Sequence, residues 1–161
     1  RIRQYAGILA ALASYYLIHE GAHWLYAVTL GVFKQINVMA LGIQIDVFRD
    51  QMSDTQLGLF CLAGPLATLL AGWVLTGLAD KICSLKSSVA KACFWYISIV
   101  LLVLDPLYLS ILHHFVGGGD MNGIKLILPE MAVTGVAFIL LLLHLYLLYK
   151  VLLPKYKAAF Q

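Results

Sequence analysis

Three residues in the first apolar stretch of the chain, His19, Glu20 and His23, follow the pattern His-Glu-x-x-His. On a helix, residues four apart share a face one turn from each other, so the two imidazoles can aim at one point. Two neutral imidazoles so placed are half of a zinc site. A Glu beside them can take a proton from a water that the metal polarises. Between Tyr5 and Leu30 the chain holds no other ionisable group apart from tyrosine. Two His and a Glu are expensive in an apolar helix of membrane length, which favours a functional reading over packing.

Zinc bound by two imidazoles takes a third protein ligand and keeps a fourth position for water or substrate. Asp120 has the chemistry for that role. It follows three consecutive glycines, Gly117, Gly118 and Gly119, which free the backbone to turn back into the protein. Asp105, beside Pro106 in an apolar run, and the pair His113 and His114 are the other candidates. A mid-span Asp-Pro reads equally as a hydrogen-bonded kink that holds neighbouring helices together.

The elements that must position these residues are membrane helices. Of the 161 residues, 62% are hydrophobic and 12% charged, and mean hydropathy is +0.89. Such a composition excludes an ordinary soluble domain and implies one membrane-embedded domain, residues 1–161, with the lipid bilayer as its surroundings. A net charge of +3 gives no footprint for nucleic acid. Cys61, Cys83 and Cys93 lack C-x-x-C spacing and read as small packing residues rather than a disulfide framework or a thiolate site. The first apolar run is too long for a signal peptide.

Four segments have the length of a span: Tyr5 to about Leu30, Thr55 to Leu78, Ala90 to Phe115 and Met131 to Leu153. The predicted fold class is therefore an all-α polytopic membrane protein with about four transmembrane helices and a short β-hairpin after the first. Four spans put both termini and the middle loop on one side. That side carries eight Lys and Arg against three on the other, which predicts cytoplasmic termini. His19 then lies about 22 Å along the first helix, below the outer surface of an apolar core roughly 30 Å thick.

Gly31 reads as the C-terminal cap of the first helix. Beyond Lys34, Ile36, Val38 and Ala40 alternate with Gln35, Asn37 and Met39, and after Gly42, Ile43, Ile45 and Val47 alternate with Gln44, Asp46 and Phe48. Period two on each side of a glycine predicts a hairpin, too short and polar to span. An edge strand there could offer backbone hydrogen bonds to an extended peptide. Gly64 and Pro65 loosen the second helix and allow close backbone approach. His144, deep in the last helix, reads as packing.

Taken together, His19-Glu20-x-x-His23, Ala27, Gly31, the strand-like segment with Gly42, Gly64-Pro65 and Asp120 near Gly123 resemble the site-2 protease family of intramembrane zinc metalloproteases. The resemblance covers most of the chain. It implies His19, His23 and Asp120 as zinc ligands, Glu20 as catalytic acid and base, and a substrate-receiving strand matching Ile36 to Val47, with Ile43 and Ile45 as its substrate-binding residues. It also implies substrate contacts near Gly64 and Pro65. Thr68 stands where the family often has an Asn, and Asn122 is a candidate to supply that amide. Met121 and Asn122 separate Asp120 from Gly123, where the family's Asp is usually followed directly by Gly.

The leading expectation is thus a zinc-dependent metalloendopeptidase that cleaves a transmembrane protein substrate. The alternative is a membrane protein that binds metal for transport or sensing, or holds helices without cleaving them. Glu20 discriminates, since a site that only holds a metal has no need of a carboxylate between its ligands.

Overall fold

The computed structural model describes residues 1–39, 42–117 and 119–161; Ala40 of the predicted hairpin and Gly118 of the glycine run lie outside the described residues. Helix α1 (Ile2–Thr29) is followed by β1 (Phe33–Met39) and β2 (Gly42–Val47), then α2 (Asp54–Gly77) and a short α3 (Ala79–Cys83). Next come α4 (Ser88–Val116), a short α5 (Gly119–Ile124) and α6 (Glu130–Ala159).

Local chemistry explains where these elements stop and start. Gly31 has φ +69°, and behind it the Gly31 and Val32 N–H groups donate to the Val28 and Ala27 carbonyls at 3.0 Å each. This closes α1 with a left-handed glycine, as expected, and turns the chain into β1. Ser53 caps α2. Its hydroxyl accepts from Gln56 N–H at 3.2 Å while the Gln56 side chain accepts from Ser53 N–H at 2.9 Å. β1 and β2 pair antiparallel, with Ile36 opposite Ile45 and Val38 opposite Ile43, so the predicted hairpin is present.

Three helices, α2, α4 and α6, are long and apolar enough to cross a membrane. The sequence predicts four, and the difference is α1. At 28 residues it is about 42 Å long, ample for a crossing. It falls short on composition, because His19, Glu20 and His23 dilute its apolar run. On the other helices Leu70, Val74, Val136, Ile139 and Leu143 are exposed, a larger apolar surface than water tolerates.

Side-chain contacts give the packing sense. Gly7 lies against Tyr96 and Tyr15 bonds Asp105, so α1 and α4 run parallel. His23 meets Phe60 while His19 meets Gly64, so α2 is antiparallel to α1. His113 faces Glu130 while Leu102 faces His144, so α6 is antiparallel to α4. The result alternates up and down from α1 to α2, α4 and α6.

Prolines shape the interior. Pro106 has no N–H, so the Leu102 carbonyl loses its ladder bond. His144 Nδ1–H donates to that carbonyl at 2.7 Å, and Trp73 Nε1–H donates to His144 Nε2 at 2.9 Å. His144, read from the sequence as packing, is thus a polar tie between α2, α4 and α6. After Pro106 the ladder widens into a π turn, Tyr108–Leu112, where Ser110 Oγ donates to the Pro106 carbonyl at 2.5 Å. A second π turn, Leu148–Leu152, precedes Pro154 in α6.

Candidate metal centre

His19 and His23 project from one face of α1 and are both buried. Their Nε2 atoms lie 3.2 Å apart. Asp120, on the short α5, brings Oδ2 to 3.1 Å from His19 Nε2 and Oδ1 to 3.4 Å from His23 Nε2. A tetrahedron built on metal bonds of about 2.0–2.1 Å has edges of about 3.3–3.4 Å. The two ring nitrogens and the two carboxylate oxygens therefore stand near the spacing one metal ion requires, and the three residues could hold one.

The opposite side of each imidazole faces an acceptor oxygen. His23 Nδ1 lies 2.7 Å from the Phe60 carbonyl, which can only accept, so the proton sits on Nδ1 and Nε2 presents a lone pair. Pro65 opens this turn of α2 by removing a ladder bond just beyond Phe60. His19 Nδ1 lies 3.3 Å from Asp105 Oδ1, oriented too poorly for a hydrogen bond yet close enough for the carboxylate to favour a proton there. Asp120 brings a carboxylate group against both ring nitrogens. Lone pairs and negative charge thus converge on one point, which a cation satisfies.

Glycines permit the approach. A Cβ on Gly64 would lie 2.5 Å from His23 Nε2 and 2.8 Å from His19 Nε2, so only a glycine lets α2 pass the imidazoles. A Cβ on Gly123 would overlap Cys61 Sγ, so α5 also lies tight against α2 and carries Asp120 inward.

Asp105 stands behind His19 and outside the triangle. It is 1% exposed and accepts from Tyr15 O–H at 2.7 Å and from the Thr68 hydroxyl. A carboxylate on the far nitrogen of a ligating His orients the ring and raises its basicity. Thr68 is 0% exposed, turned to Asp105 rather than to any open surface. Asn122 is exposed and lines neither cavity at the site. His113 and His114 lie past the π turn of α4, apart from the triangle. Tyr15 and the Phe60 carbonyl were not singled out from the sequence. Tyr15 carried a signal, being one turn before His19 on the same face.

Two cavities meet at Glu20. One, about 630 Å³, contains His19, His23 and Asp120 and extends to Gly117 and Gly119. The other, about 490 Å³, is an apolar cleft between α1 (Leu17, Gly21, Trp24) and the hairpin (Ile36, Ile43, Ile45). Glu20, Ile43 and Ile45 line both. Ile45 N–H donates to Glu20 Oε2 at 3.2 Å. That bond turns the Ile45 backbone away from β1, and strand alternation turns Ile43 the same way. The outer edge of β2 therefore faces the cleft. No family model, curated protein or solved structure matches the chain.

Proposed function

We propose that the protein is an intramembrane zinc metalloprotease of the site-2 protease type, in which His19, His23 and Asp120 hold zinc and Glu20 is the base. The observation that carries this reading is Glu20. It ligates nothing, it borders the metal triangle, and Ile45 N–H holds one of its oxygens. Two imidazoles and a carboxylate are a donor set that suits zinc and leaves a position open. Zinc bound there supplies Lewis-acid polarisation of a carbonyl and brings the pKa of water down to about 7.

The chain's own residues do the rest. An extended, locally unwound segment of a transmembrane substrate pairs with the outer edge of β2, its apolar side chains in the cleft beside Trp24 and Ile36. Pairing there brings a peptide carbonyl past Glu20 to the triangle. Glu20 takes a proton from the attacking water with the oxygen that Ile45 does not occupy. Water oxygen bonds the carbonyl carbon, the C–N bond breaks, and Glu20 hands the proton to the leaving amine. Asp105, held by Tyr15 and Thr68, keeps His19 in the ligating tautomer. The larger cavity gives water a way in past Gly117 and Gly119. We read α1 as the fourth span: it runs parallel to α4 and exposes Leu9, Leu12, Leu17 and Leu25. The Lys and Arg bias then supports cytoplasmic termini.

The test compares membranes carrying wild type or Glu20→Gln, with mass spectrometry of new peptide termini inside transmembrane segments and of zinc per chain. Termini made by the wild type and lost in the variant, with zinc retained in both, support the reading. Identical termini in the two remove Glu20 from the chemistry and leave a protein that holds a metal without cleaving.

A further inference from the structure

A second group of metal-ligating side chains stands beyond the π turn of α4, and the centre described above makes no use of it. His113 is 6% exposed, although it sits at the end of a helix among exposed neighbours. Its Nδ1 lies 3.2 Å from the Tyr108 carbonyl, an acceptor, so the proton belongs on Nδ1 and Nε2 presents a lone pair. Nε2 is buried and makes no hydrogen bond. It points at Glu130, the first residue of α6, with Oε1 3.5 Å away. Two acceptors facing each other, the His113 nitrogen buried and the Glu130 carboxylate at the surface, lack a positive charge between them. The His114 ring lies against that of His113, centroids 3.8 Å apart, and the ligand atoms of His113, His114 and Glu130 all fall within 4.8 Å of one another.

We propose that His113, His114 and Glu130 form a second site for a divalent transition metal, which clamps the end of α4 to the start of α6. Two imidazoles and one carboxylate select zinc, copper or nickel over magnesium or calcium. The site is the weaker of the two. His114 and Glu130 are exposed side chains that must be ordered on binding, whereas His19 and His23 are both buried. The segment between the clamped ends carries α5, and with it Asp120. Occupancy of the outer site therefore restrains the loop that supplies the third ligand of the inner one.

Equilibrium dialysis of the full chain in detergent, stripped of metal and then exposed to zinc alone, tests this. Wild type is expected to take up two zinc ions per chain, and His114→Ala and Glu130→Gln one each. Both substitutions are at exposed positions, so the fold survives them. His23→Ala reports on the inner site separately and is expected to retain one. A wild type that binds one zinc, lost in His23→Ala but kept in His114→Ala and Glu130→Gln, overturns the second site and leaves the first. One zinc with the opposite pattern upholds the second site and sinks the inner one. Two ions unaffected by His114→Ala and Glu130→Gln overturn the proposal, as does no binding at all. A simple ion pair between His113 and Glu130 predicts the first of these failures.

Discussion

At the scale of single residues, the centre depends as much on what is missing as on what is present. Gly64 gives the imidazoles their room, and a methyl group there would sit at 2.5–2.8 Å from ring nitrogens. His19 and His23 cannot both retreat, since one is tied to the Phe60 carbonyl and the other lies against Asp105. Gly64→Ala is therefore expected to lose metal while keeping its helices, with zinc per chain and far-ultraviolet circular dichroism as the paired measurements. Retention of a full zinc equivalent would show that the rings have slack the geometry denies them. Asp105 reads from the sequence as a hydrogen-bonded tie between helices, but its partners Tyr15 and Thr68 were hidden, because those bonds reach 90 and 37 residues along the chain. His19, Glu20 and His23 were legible because one helical turn contains all three.

At the scale of elements, β2 does two things with one edge. Ile45 N–H holds Glu20, and the Ile43 N–H and carbonyl face the same side, outward from the pair Ile43 makes with Val38. Proline at an outward-facing strand position removes only that outward donor. Ile43→Pro is thus expected to raise KM for a transmembrane substrate several-fold and leave zinc content unchanged, as read by substrate titration in reconstituted vesicles. Unchanged KM would remove β2 as the docking edge. Apolar runs and period-two alternation made the helices and the hairpin readable in advance. The π turns were not readable, since Pro106 and Pro154 announce a disturbed ladder without saying whether it kinks or widens. Nor was the shortfall of α1, whose hydropathy His19, Glu20 and His23 depress.

At the scale of the whole molecule, three helices are joined by one chain of donors, from Trp73 through His144 to the Leu102 carbonyl. In soluble proteins an orphaned buried carbonyl costs about 1–3 kcal/mol. Interhelical hydrogen bonds in membranes average about 0.6 kcal/mol, because the separated helices find other partners. His144→Ala is accordingly expected to destabilise the bundle by on the order of 1 kcal/mol, measured by denaturant titration in micelles, with the metal centre intact. A loss of several kcal/mol would mean that α6 holds α2 and α4 together rather than merely fastening them. The same tie bears on biogenesis. α4 leaves the ribosome with a bare carbonyl midway along a helix of span length, 42 residues before the imidazole that covers it has been made. A nascent chain halted short of His144 has no way to dress that group from its own sequence. It must borrow a water or a polar contact from the insertion machinery until the last helix arrives.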